Sequence, residues 1–336
     1  MDFGDPDALP ARSWERARRA LRAAGVPPDR LARLRTLGGG TYNSVEELCL
    51  ADGTRYVLKI PPAPTAPGLR YERDLLVGEA EFCNAAARAH VPAPRVVAEG
   101  EDAGRRHLLM TACPGEPWDA SVTDDEAAGL RADLGGHVAR LHQVTGPGFG
   151  YPSGALGPLA PDWRTAFTAM YAAVLDDARR HRAPLPRPAD EIARTAEAAY
   201  DALDEVAVPC LVHFDLWPGN ILLDRSDAGV RIGGLIDGER MFWGDPAADF
   251  VSLALLGDIR EDEAFLAGYR AAAGRAGFGR TARLRLALYR SYLYLIMLTE
   301  TIPRALGPDH ERWVRDQVAP ELSAAVDEIG RLTVNS

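Results

Sequence analysis

Residues 211–220 read Leu-Val-His-Phe-Asp-Leu-Trp-Pro-Gly-Asn, and this stretch carries the strongest local signal in the sequence. It contains the pattern His-x-Asp-x-x-x-x-Asn, formed by His213, Asp215 and Asn220. An aspartate in such a loop can accept a hydroxyl proton during phosphoryl transfer, and the asparagine amide oxygen can bind Mg²⁺. A strand followed by a Pro-Gly turn, with Asp215 as its cap, explains the same residues equally well. The segment alone leaves a catalytic and a structural interpretation open.

A second acidic residue ends the next apolar run, at Leu235–Gly238. An aspartate at a strand end, followed by glycine, can keep its carboxylate free for a metal. Asn220 and Asp237 would then supply two oxygen ligands suited to Mg²⁺ that arrives with a nucleotide. The alternative is that Asp237 caps a turn. Further along, Asp245 and Asp249 are interpreted as structural caps of a helix.

The chain contains one lysine, Lys59, among 38 basic residues. Because arginine is the default cation of this sequence, the exception marks a place where a compact ammonium is needed. Lys59 lies near the end of a predicted strand, 54–60, that follows a hairpin turn at Asp52-Gly53. Lys59 is therefore a candidate functional residue before any motif is considered.

A glycine-rich turn, 38–44, connects two predicted strands immediately before this hairpin. Its backbone N–H groups can point at phosphate oxygens, because glycine permits a close approach. The candidate nucleotide-binding residues of the turn are Gly39, Gly40, Thr41, Asn43 and Ser44. Lys59 would reach the α- and β-phosphates of ATP, and Glu79 would hold it, in preference to Glu81, from the apolar face of a predicted helix, 71–90. A lone Gly triplet is weak evidence, but Lys59 one hairpin away strengthens it.

The order of predicted elements indicates an α+β chain with two lobes. Residues 1–111 are predicted to form a small antiparallel β-sheet lobe with one packed helix, which binds the nucleotide. A further short helix is predicted at 14–24. Residues 112–336 are predicted to form a larger, mainly helical lobe for catalysis and substrate. Its helices are expected near 123–143, 162–181, 189–206, 260–274, 280–301 and 308–331.

Composition excludes several classes of protein. The net charge of −10 argues against a nucleic-acid surface. No apolar run reaches the length of a membrane span, and the acidic N-terminus lacks the apolar core of a secretory signal. The four cysteines, Cys49, Cys83, Cys113 and Cys210, form no C-x-x-C pair and indicate reduced thiols. We therefore expect a cytoplasmic protein without nucleic-acid or membrane partners.

Taken together, the glycine-rich loop, strand lysine, helix glutamate, His-x-Asp-x-x-x-x-Asn and strand-end aspartate resemble the protein-kinase-like fold. The details are similar to the aminoglycoside phosphotransferase and choline kinase family. They lie at Val91–Pro94, Pro114–Pro117, Leu141-His142 and Gly244–Asp249, where that family has "VPVP", "PGEP", "LH" and "GDPxxD". The resemblance spans about residues 33–257.

The resemblance implies an ATP-dependent kinase that phosphorylates a hydroxyl group of a small molecule and uses ATP and Mg²⁺. The adenine would lie against the joint that contains Met110 and Ala112. Lys59, held by Glu79, would orient the phosphates. Asn220 and Asp237 would hold Mg²⁺, and Asp215 would be the base.

Three departures from the family pattern concern the acceptor. Phe214 replaces a glycine, Gly238 replaces an aromatic residue, and Trp217 replaces a histidine in a way that is similar to fructosamine kinases. An aminoglycoside-like antibiotic or amino sugar, with a role in antibiotic resistance, is the preferred acceptor. The alternatives are fructosamine, choline, homoserine or a macrolide, and the non-enzyme alternative is an inactive nucleotide-binding scaffold.

The distribution of charge supports the preference for a cationic acceptor. Residues 1–110 carry 16 basic and 15 acidic residues, whereas residues 111–336 carry 22 and 33. Carboxylates of the second part would attract a cation. Glu239 and Glu300 are the predicted carboxylate contacts, and Trp217 is predicted to pack on a ring of the acceptor. The alternative is that these acids only solvate a helical surface.

Overall fold

The computed structural model describes residues 9–38, 42–102, 104–227 and 229–334. The N-terminal part contains a five-stranded antiparallel sheet with the spatial order β1-β2-β3-β5-β4. The strands are β1 Leu31–Leu37, β2 Ser44–Leu50, β3 Arg55–Ile60, β4 Val96–Asp102 and β5 Arg105–Thr111. The sheet and its local connections confirm the predicted antiparallel arrangement.

Two helices are associated with this sheet, α1 Ala11–Ala23 and α2 Leu75–Arg88. The register of β2 and β3 pairs Glu46 with Leu58 and Val45 with Lys59. Because successive side chains of a strand point to opposite faces, Leu58 packs in the apolar cluster under α1 and Lys59 faces the other side. The strand alternation therefore places the single lysine on the α2 side.

Eight helices follow in the described part of the second half. They are α3 Asp124–Leu141, α4 Trp163–His181, α5 Ala189–Glu197, α6 Asp249–Leu253, α7 Glu263–Ala271, α8 Arg280–Glu300, α9 Pro308–Trp313 and α10 Ala319–Val334. A π-helical segment, Val314–Val318, joins α9 to α10. The core is built on α3, α4 and α8, whose buried aromatic side chains include Trp163, Phe167, Tyr289 and Tyr292.

Short strands position the loops between these helices. Strand β6, Glu116–Pro117, pairs with β8, Ile221–Ser226, which also pairs with β9, Gly229–Leu235. Strand β7, Cys210–Val212, pairs with β10, Phe242–Gly244. The loops that follow β7 and β9 therefore start from hydrogen-bonded strands, and these loops carry Asp215 and Asp237.

The structure corrects some predicted boundaries. The helix predicted over 189–206 ends at Glu197, and a 3₁₀ segment, Tyr200–Glu205, follows it. The helix predicted over 308–331 is divided into α9, the π-helical segment and α10. Strands β6 and β10, two and three residues long, were not expected, because so few residues carry no readable periodicity. All four cysteines are free thiols, and none of the helices in the described ranges is long and apolar enough to cross a membrane.

Candidate active site

Lys59 lies at the centre of a cluster of carboxylates that we call the Lys59 cluster: Lys59, Glu79, Asp237 and Glu239. Its Nζ lies 2.5 Å from Glu79 Oε2, contacts Asp237 and lies 3.3 Å from Glu239 Oε2. Glu79 comes from α2, whereas Asp237 and Glu239 follow β9. Glu81, the rejected alternative, is partly exposed and lies near Arg88 instead. The structure thus brings together Lys59 and Glu79 as the sequence predicted.

Three carboxyl groups surround one ammonium in this cluster, so ionisation of all three would leave an excess of negative charge. Burial opposes ionisation of Lys59, but Asp237, Glu79 and Glu239 hold the pKa of its ammonium well above the usual value. Burial raises the pKa of Glu239 to about 8, and the charge of Asp237 adds to this effect. One oxygen from each of Glu79, Asp237 and Glu239 lies within 4.8 Å of the others. Such a cluster favours a bound cation.

Asp237 and Asn220 lie on adjacent segments. Asp237 adopts a left-handed backbone conformation with φ of 63°, two residues beyond the end of β9. Although burial would raise it, the charge of Lys59 lowers the pKa of the Asp237 carboxyl below its usual value. Ile236 donates its backbone N–H to Asn220 O at 3.0 Å, which fixes the two segments together. The Asn220 side chain donates through Nδ2 to Asp215 O at 2.8 Å, so its Oδ1 is the atom left for a cation.

Glycines allow these elements to approach each other. A Cβ at Gly238 would lie 2.2 Å from the Phe82 ring, and one at Gly78 would lie 2.9 Å from Glu239 O. Both separations are shorter than any real carbon contact, so each position requires glycine. The departure at Gly238 is therefore explained by Phe82 of α2, which occupies the space that an aromatic side chain would need.

The loop that carries Asp215 is held by a buried carboxylate from α6. Asp249 accepts backbone N–H bonds from His213 at 3.1 Å and Phe214 at 2.6 Å, and lies 2.9 Å from His142 Nε2. Phe214 has a φ of 63°, which is unusual for a residue other than glycine. The hydrogen bond from its backbone N–H to Asp249 holds it in this conformation. The interpretation of Asp249 as a helix cap is wrong: it is the first residue of α6, the N-cap is Ala248 without a side-chain cap bond, and the Asp249 carboxylate organises the Asp215 loop instead. Asp245 does cap a turn, accepting from Ala247 N at 3.0 Å.

His213 connects the same loop to the segment before Asp237. Its Nε2 lies 3.0 Å from Ile236 O, and the backbone N–H of Asp215 donates to its Nδ1 at 3.2 Å. Burial lowers the pKa of His213 below its usual value, so the imidazole is neutral. The neutral ring then carries its proton on Nε2 and accepts at Nδ1, which suits both contacts. His213 is thus a positioning residue.

Asp215 begins a row of alternating charges that we call the charge ladder: Asp215, Arg240, Glu300, Arg304 and Glu72. Arg240 Nε lies 3.7 Å from Asp215 Oδ2, and Arg240 Nη2 lies 2.8 Å from Glu300 Oε2. Arg304 lies 3.2 Å from the same glutamate and also contacts Glu72. Burial raises the pKa of Asp215 to about 6; Arg240 opposes this effect, and Asp237 and Glu300 reinforce it. Asp215 is therefore a stronger base than an ordinary aspartate.

The far end of the charge ladder reaches the glycine-rich turn. The Tyr42 hydroxyl donates to Glu72 O at 2.8 Å, and the Arg304 guanidinium lies 5.2 Å from the centre of the Tyr42 ring. Gly39, Gly40 and Thr41 lie outside the described residues. Beside them, Asn43 Nδ2 lies 2.5 Å from Glu239 Oε2, and Ser44 is exposed at the start of β2. The C-terminal end of the turn is thus tied to Glu72 through Tyr42 and to Glu239 through Asn43.

Glu239 and Glu300 are placed differently from what we expected of acceptor contacts. Glu239 is 8% exposed and is engaged by Lys59 and Asn43. Glu300 is 7% exposed and lies between two arginines. Neither carboxylate is available to a cationic acceptor unless these contacts break. Trp217, in contrast, is 44% exposed two residues beyond Asp215, as expected of a side chain that packs on a ligand.

The joint predicted to hold adenine is formed by the end of β5 and the next residues. Met110 is 1% exposed, and its Sδ lies 3.7 Å from the Cys83 thiol of α2, so its side chain belongs to the core. Ala112 is partly exposed, and its backbone N–H already donates to Arg55 O at 3.1 Å. An adenine at this joint would therefore need other backbone groups than the Ala112 N–H.

Several residues of the site were missed by sequence reasoning. They are Glu72, His142, Arg240 and Arg304, and the organising role of Asp249 was missed as well. Arginine is so frequent in this chain that Arg240 and Arg304 give no signal of their own. For Asp249, the Gly-Asp-Pro-x-x-Asp pattern was visible but gave no hint of a contact with residues 35 or 36 positions earlier.

Comparison with known proteins gives the family. The phosphotransferase enzyme family matches residues 33–287, well over half of the chain. A protein named as a probable ketoamine kinase from Lactiplantibacillus plantarum is 25% identical over 300 residues, which cover 86% of this chain and 95% of that protein. Another with the same name, from Synechocystis, is 25% identical over 266 residues, covering 76% of this chain and 81% of its own length.

Solved structures show the same fold at low identity. A structure assigned as a fructosamine-3-kinase from Thermobifida fusca superposes with a TM-score of 0.63 at 24% identity. The match covers 95% of this chain and 98% of the Thermobifida chain. An aminoglycoside phosphotransferase solved with ADP and hygromycin B has a TM-score of 0.58 at 17% identity, covering 93% and 98%. The chain therefore belongs to the phosphotransferase enzyme family, has its protein-kinase-like fold, and is an ATP-dependent small-molecule phosphotransferase.

Proposed function

We propose that the enzyme transfers the γ-phosphoryl group of ATP to a hydroxyl of a ketoamine, a ketose whose first carbon carries a substituted amine. The observation that carries this proposal is the likeness, over most of the chain, to two proteins named as ketoamine kinases. Trp217 supports it, since the same replacement in the Asp215 loop is similar to fructosamine kinases. The aminoglycoside that the sequence favoured becomes the alternative acceptor.

On the nucleotide side, Lys59 orients the α- and β-phosphates while Glu79 holds its ammonium in place. Asn220 Oδ1 and the Asp237 carboxylate are the proposed Mg²⁺ ligands. Their oxygen chemistry fits the ion, and the three carboxylates around Lys59 supply the negative charge that a divalent cation offsets. When bound, Mg²⁺ would neutralise charge on the phosphate oxygens. The lobe of residues 1–111 is proposed to bind ATP, with adenine near Met110 and Cys113.

On the acceptor side, Asp215 orients the hydroxyl and accepts its proton. With a pKa of about 6 it is deprotonated at neutral pH, yet basic enough to take the proton as the new bond forms. Its loop is held by Asp249 and His213, so the carboxylate is positioned before the acceptor arrives. Residues 112–336 are proposed to supply the rest of the acceptor site.

The contacts of Glu239 and Glu300 within the chain support an acceptor other than a polycation. The carboxylates of Glu239 and Glu300 are engaged by cationic or amide groups of the chain. The exposed indole of Trp217 offers an apolar face next to the base, which suits the carbon face of a sugar ring. A sugar with one substituted amine requires fewer carboxylates than an aminoglycoside does.

The experiment is an acceptor panel with purified enzyme, ATP and Mg²⁺, in which ADP release and phosphorylated product are both measured. The panel contains fructosyl-lysine, ribulosyl-lysine, kanamycin, hygromycin B, a macrolide, choline and homoserine. The highest kcat/KM is expected for a ketoamine, and the Asp215→Asn variant is the control for acceptor-dependent turnover. A higher kcat/KM for an aminoglycoside would replace the ketoamine proposal. Nucleotide binding without transfer to any acceptor would favour the inactive scaffold.

A further inference from the structure

A basic cavity lies beside the candidate active site, and the mechanism does not use it. We call it the loop cavity: it lies between the β3–α2 connection at 61–74, Gly104 with the start of β5, and the end of α4, and Tyr42 also lines it. Its volume is about 720 Å³. This volume is in the range of small-molecule sites.

The lining of the loop cavity has the opposite charge to the chain as a whole. Among its described lining residues, Asp74 is the one carboxylate, and five arginines face it: Arg70, Arg73, Arg105, Arg106 and Arg180. The whole chain has a net charge of −10. A concentration of cations in a concave site of an acidic protein focuses a positive potential there.

Three of these five arginines form ion pairs within the chain, and two do not in the described ranges. Arg70 and Arg180 pair with Asp177 at 3.2 and 2.8 Å, and Arg106 lies 3.2 Å from Glu99. Within the described ranges, neither Arg73 nor Arg105 has an ion-pair partner. Arg73 comes from the β3–α2 connection and Arg105 is the first residue of β5, so two separate segments place cations without an ion-pair partner in the described ranges at one cavity.

The rest of the lining suits a ligand with an apolar body. Leu75 and Leu76 at the start of α2 are 4% and 2% exposed and line the cavity with Tyr42. Four prolines of the connection form another part of the wall: Pro61, Pro62, Pro64 and Pro67. Proline fixes φ, so this wall loses little backbone freedom when a ligand binds.

We propose that the loop cavity binds a small phosphate-bearing molecule, with its phosphate on Arg73 and Arg105 and its body against Tyr42 and the prolines of the β3–α2 connection. Guanidinium groups bind phosphate oxygens through charge-assisted hydrogen bonds. The site is separate from the Lys59 cluster. Because Tyr42 also contacts Glu72 and Arg304, a ligand there adjoins the side chain that ties the charge ladder to the glycine-rich turn.

The test is isothermal titration of phenyl phosphate into protein saturated with Mg²⁺ and a non-hydrolysable ATP analogue, which keeps the probe out of the nucleotide site. Phenol is the neutral comparison. We expect phenyl phosphate to bind and phenol to bind at least about tenfold more weakly, because each charged hydrogen bond contributes about a factor of ten or more. The double variant Arg73→Gln/Arg105→Gln is expected to weaken phenyl phosphate at least tenfold.

Two control variants separate the site from general electrostatics. Arg88→Gln/Arg312→Gln removes the same charge from exposed helical arginines elsewhere, and its affinity for the probe should stay within twofold of the wild type. Arg73→Lys/Arg105→Lys keeps the charge and should bind within about threefold, which also shows that the segments still fold. Absence of phenyl phosphate binding, or binding that Arg73→Gln/Arg105→Gln leaves unchanged, overturns the proposal.

Steady-state kinetics distinguishes two sources of the phosphate group: a separate effector molecule and a phosphorylated acceptor. If the ligand is a separate effector, Arg73→Gln/Arg105→Gln leaves the acceptor KM unchanged, and phenyl phosphate alters turnover of the wild type alone. If the ligand is the remote part of a phosphorylated acceptor, the variant raises the KM for that acceptor and phenyl phosphate competes with it. Either result supports the site, and the titration itself needs no phosphoryl transfer.

Discussion

The Lys59 cluster and the charge ladder lie in one site, and they differ in how far their acidic and basic groups balance each other. Around Lys59, three carboxylates share one cation, so the site contains negative charge that a further cation can offset. In the charge ladder, the two arginines alternate with the three carboxylates, so the row is largely compensated within the chain. The comparison indicates that the cation the enzyme requires belongs with the nucleotide and not with the acceptor.

Among the tests of this difference in charge, the largest effect on turnover is expected from Asp237→Asn. The change removes a charge from the Lys59 cluster and a proposed Mg²⁺ ligand, so kcat should fall by about 10³-fold, which corresponds to several kcal/mol of transition-state stabilisation. Steady-state kinetics over a Mg²⁺ series measures it. Asp258→Asn, at a surface ion pair with Arg260, is the matched control. An unchanged kcat would remove Asp237 from the mechanism.

A smaller but still large loss is expected from Lys59→Arg. The guanidinium keeps the charge but is too wide to contact Glu79 and Asp237 as the compact ammonium does, so it should misplace the phosphates. We expect kcat/KM for ATP to fall by about 10²-fold. Near-normal ATP kinetics in this variant would mean that the single lysine reflects composition alone.

A shift in pH dependence is expected from the charge ladder. Asp215 must be deprotonated to accept a proton, so kcat/KM for the acceptor should decline as the pH falls through about 6. Glu300→Gln removes a negative charge that raises the pKa of Asp215. It also removes the ion pair of Arg240 with Glu300, so the Arg240 guanidinium interacts more strongly with Asp215. Both effects lower the pKa of Asp215 and move the acid limb of the profile to lower pH. The comparison is a pH–rate profile of wild type, Glu300→Gln and the exposed control Glu311→Gln. An acid limb that stays in place in Glu300→Gln would contradict the coupling.

The smallest effect concerns salt. Because Glu239 and Glu300 are already engaged, the KM of the acceptor should change by less than about twofold between low salt and 0.5 M, where exposed charges are screened beyond roughly 4–5 Å. The measurement is the acceptor KM at several ionic strengths with the ATP concentration saturating. A KM that rises steeply with salt would restore the cationic acceptor that the charge of residues 111–336 suggested.

The sequence predicted the parts of the site that lie in local patterns. Lys59, Glu79 and the Asp215 loop could be placed because a lone lysine, an apolar helix face and a short spaced motif are each readable over a few residues. Arg240, Glu300 and Arg304 could not be placed in the charge ladder, because their contacts depend on how the end of α8 meets the loop after β9. Glu239 and Glu300 were assigned to the acceptor for the same reason: the sequence shows a carboxylate but not the partner that neutralises it.

The proposed mechanism requires Asp215 as the base for phosphoryl transfer. The decisive measurement is single-turnover transfer from ATP to the best acceptor of the panel, in wild type and Asp215→Asn, together with the affinity of each for the Mg²⁺-bound ATP analogue. We predict an unchanged nucleotide affinity and a transfer rate at least about 10²-fold lower in Asp215→Asn, the size of effect expected for loss of a general base. Transfer by Asp215→Asn at the wild-type rate would contradict the account.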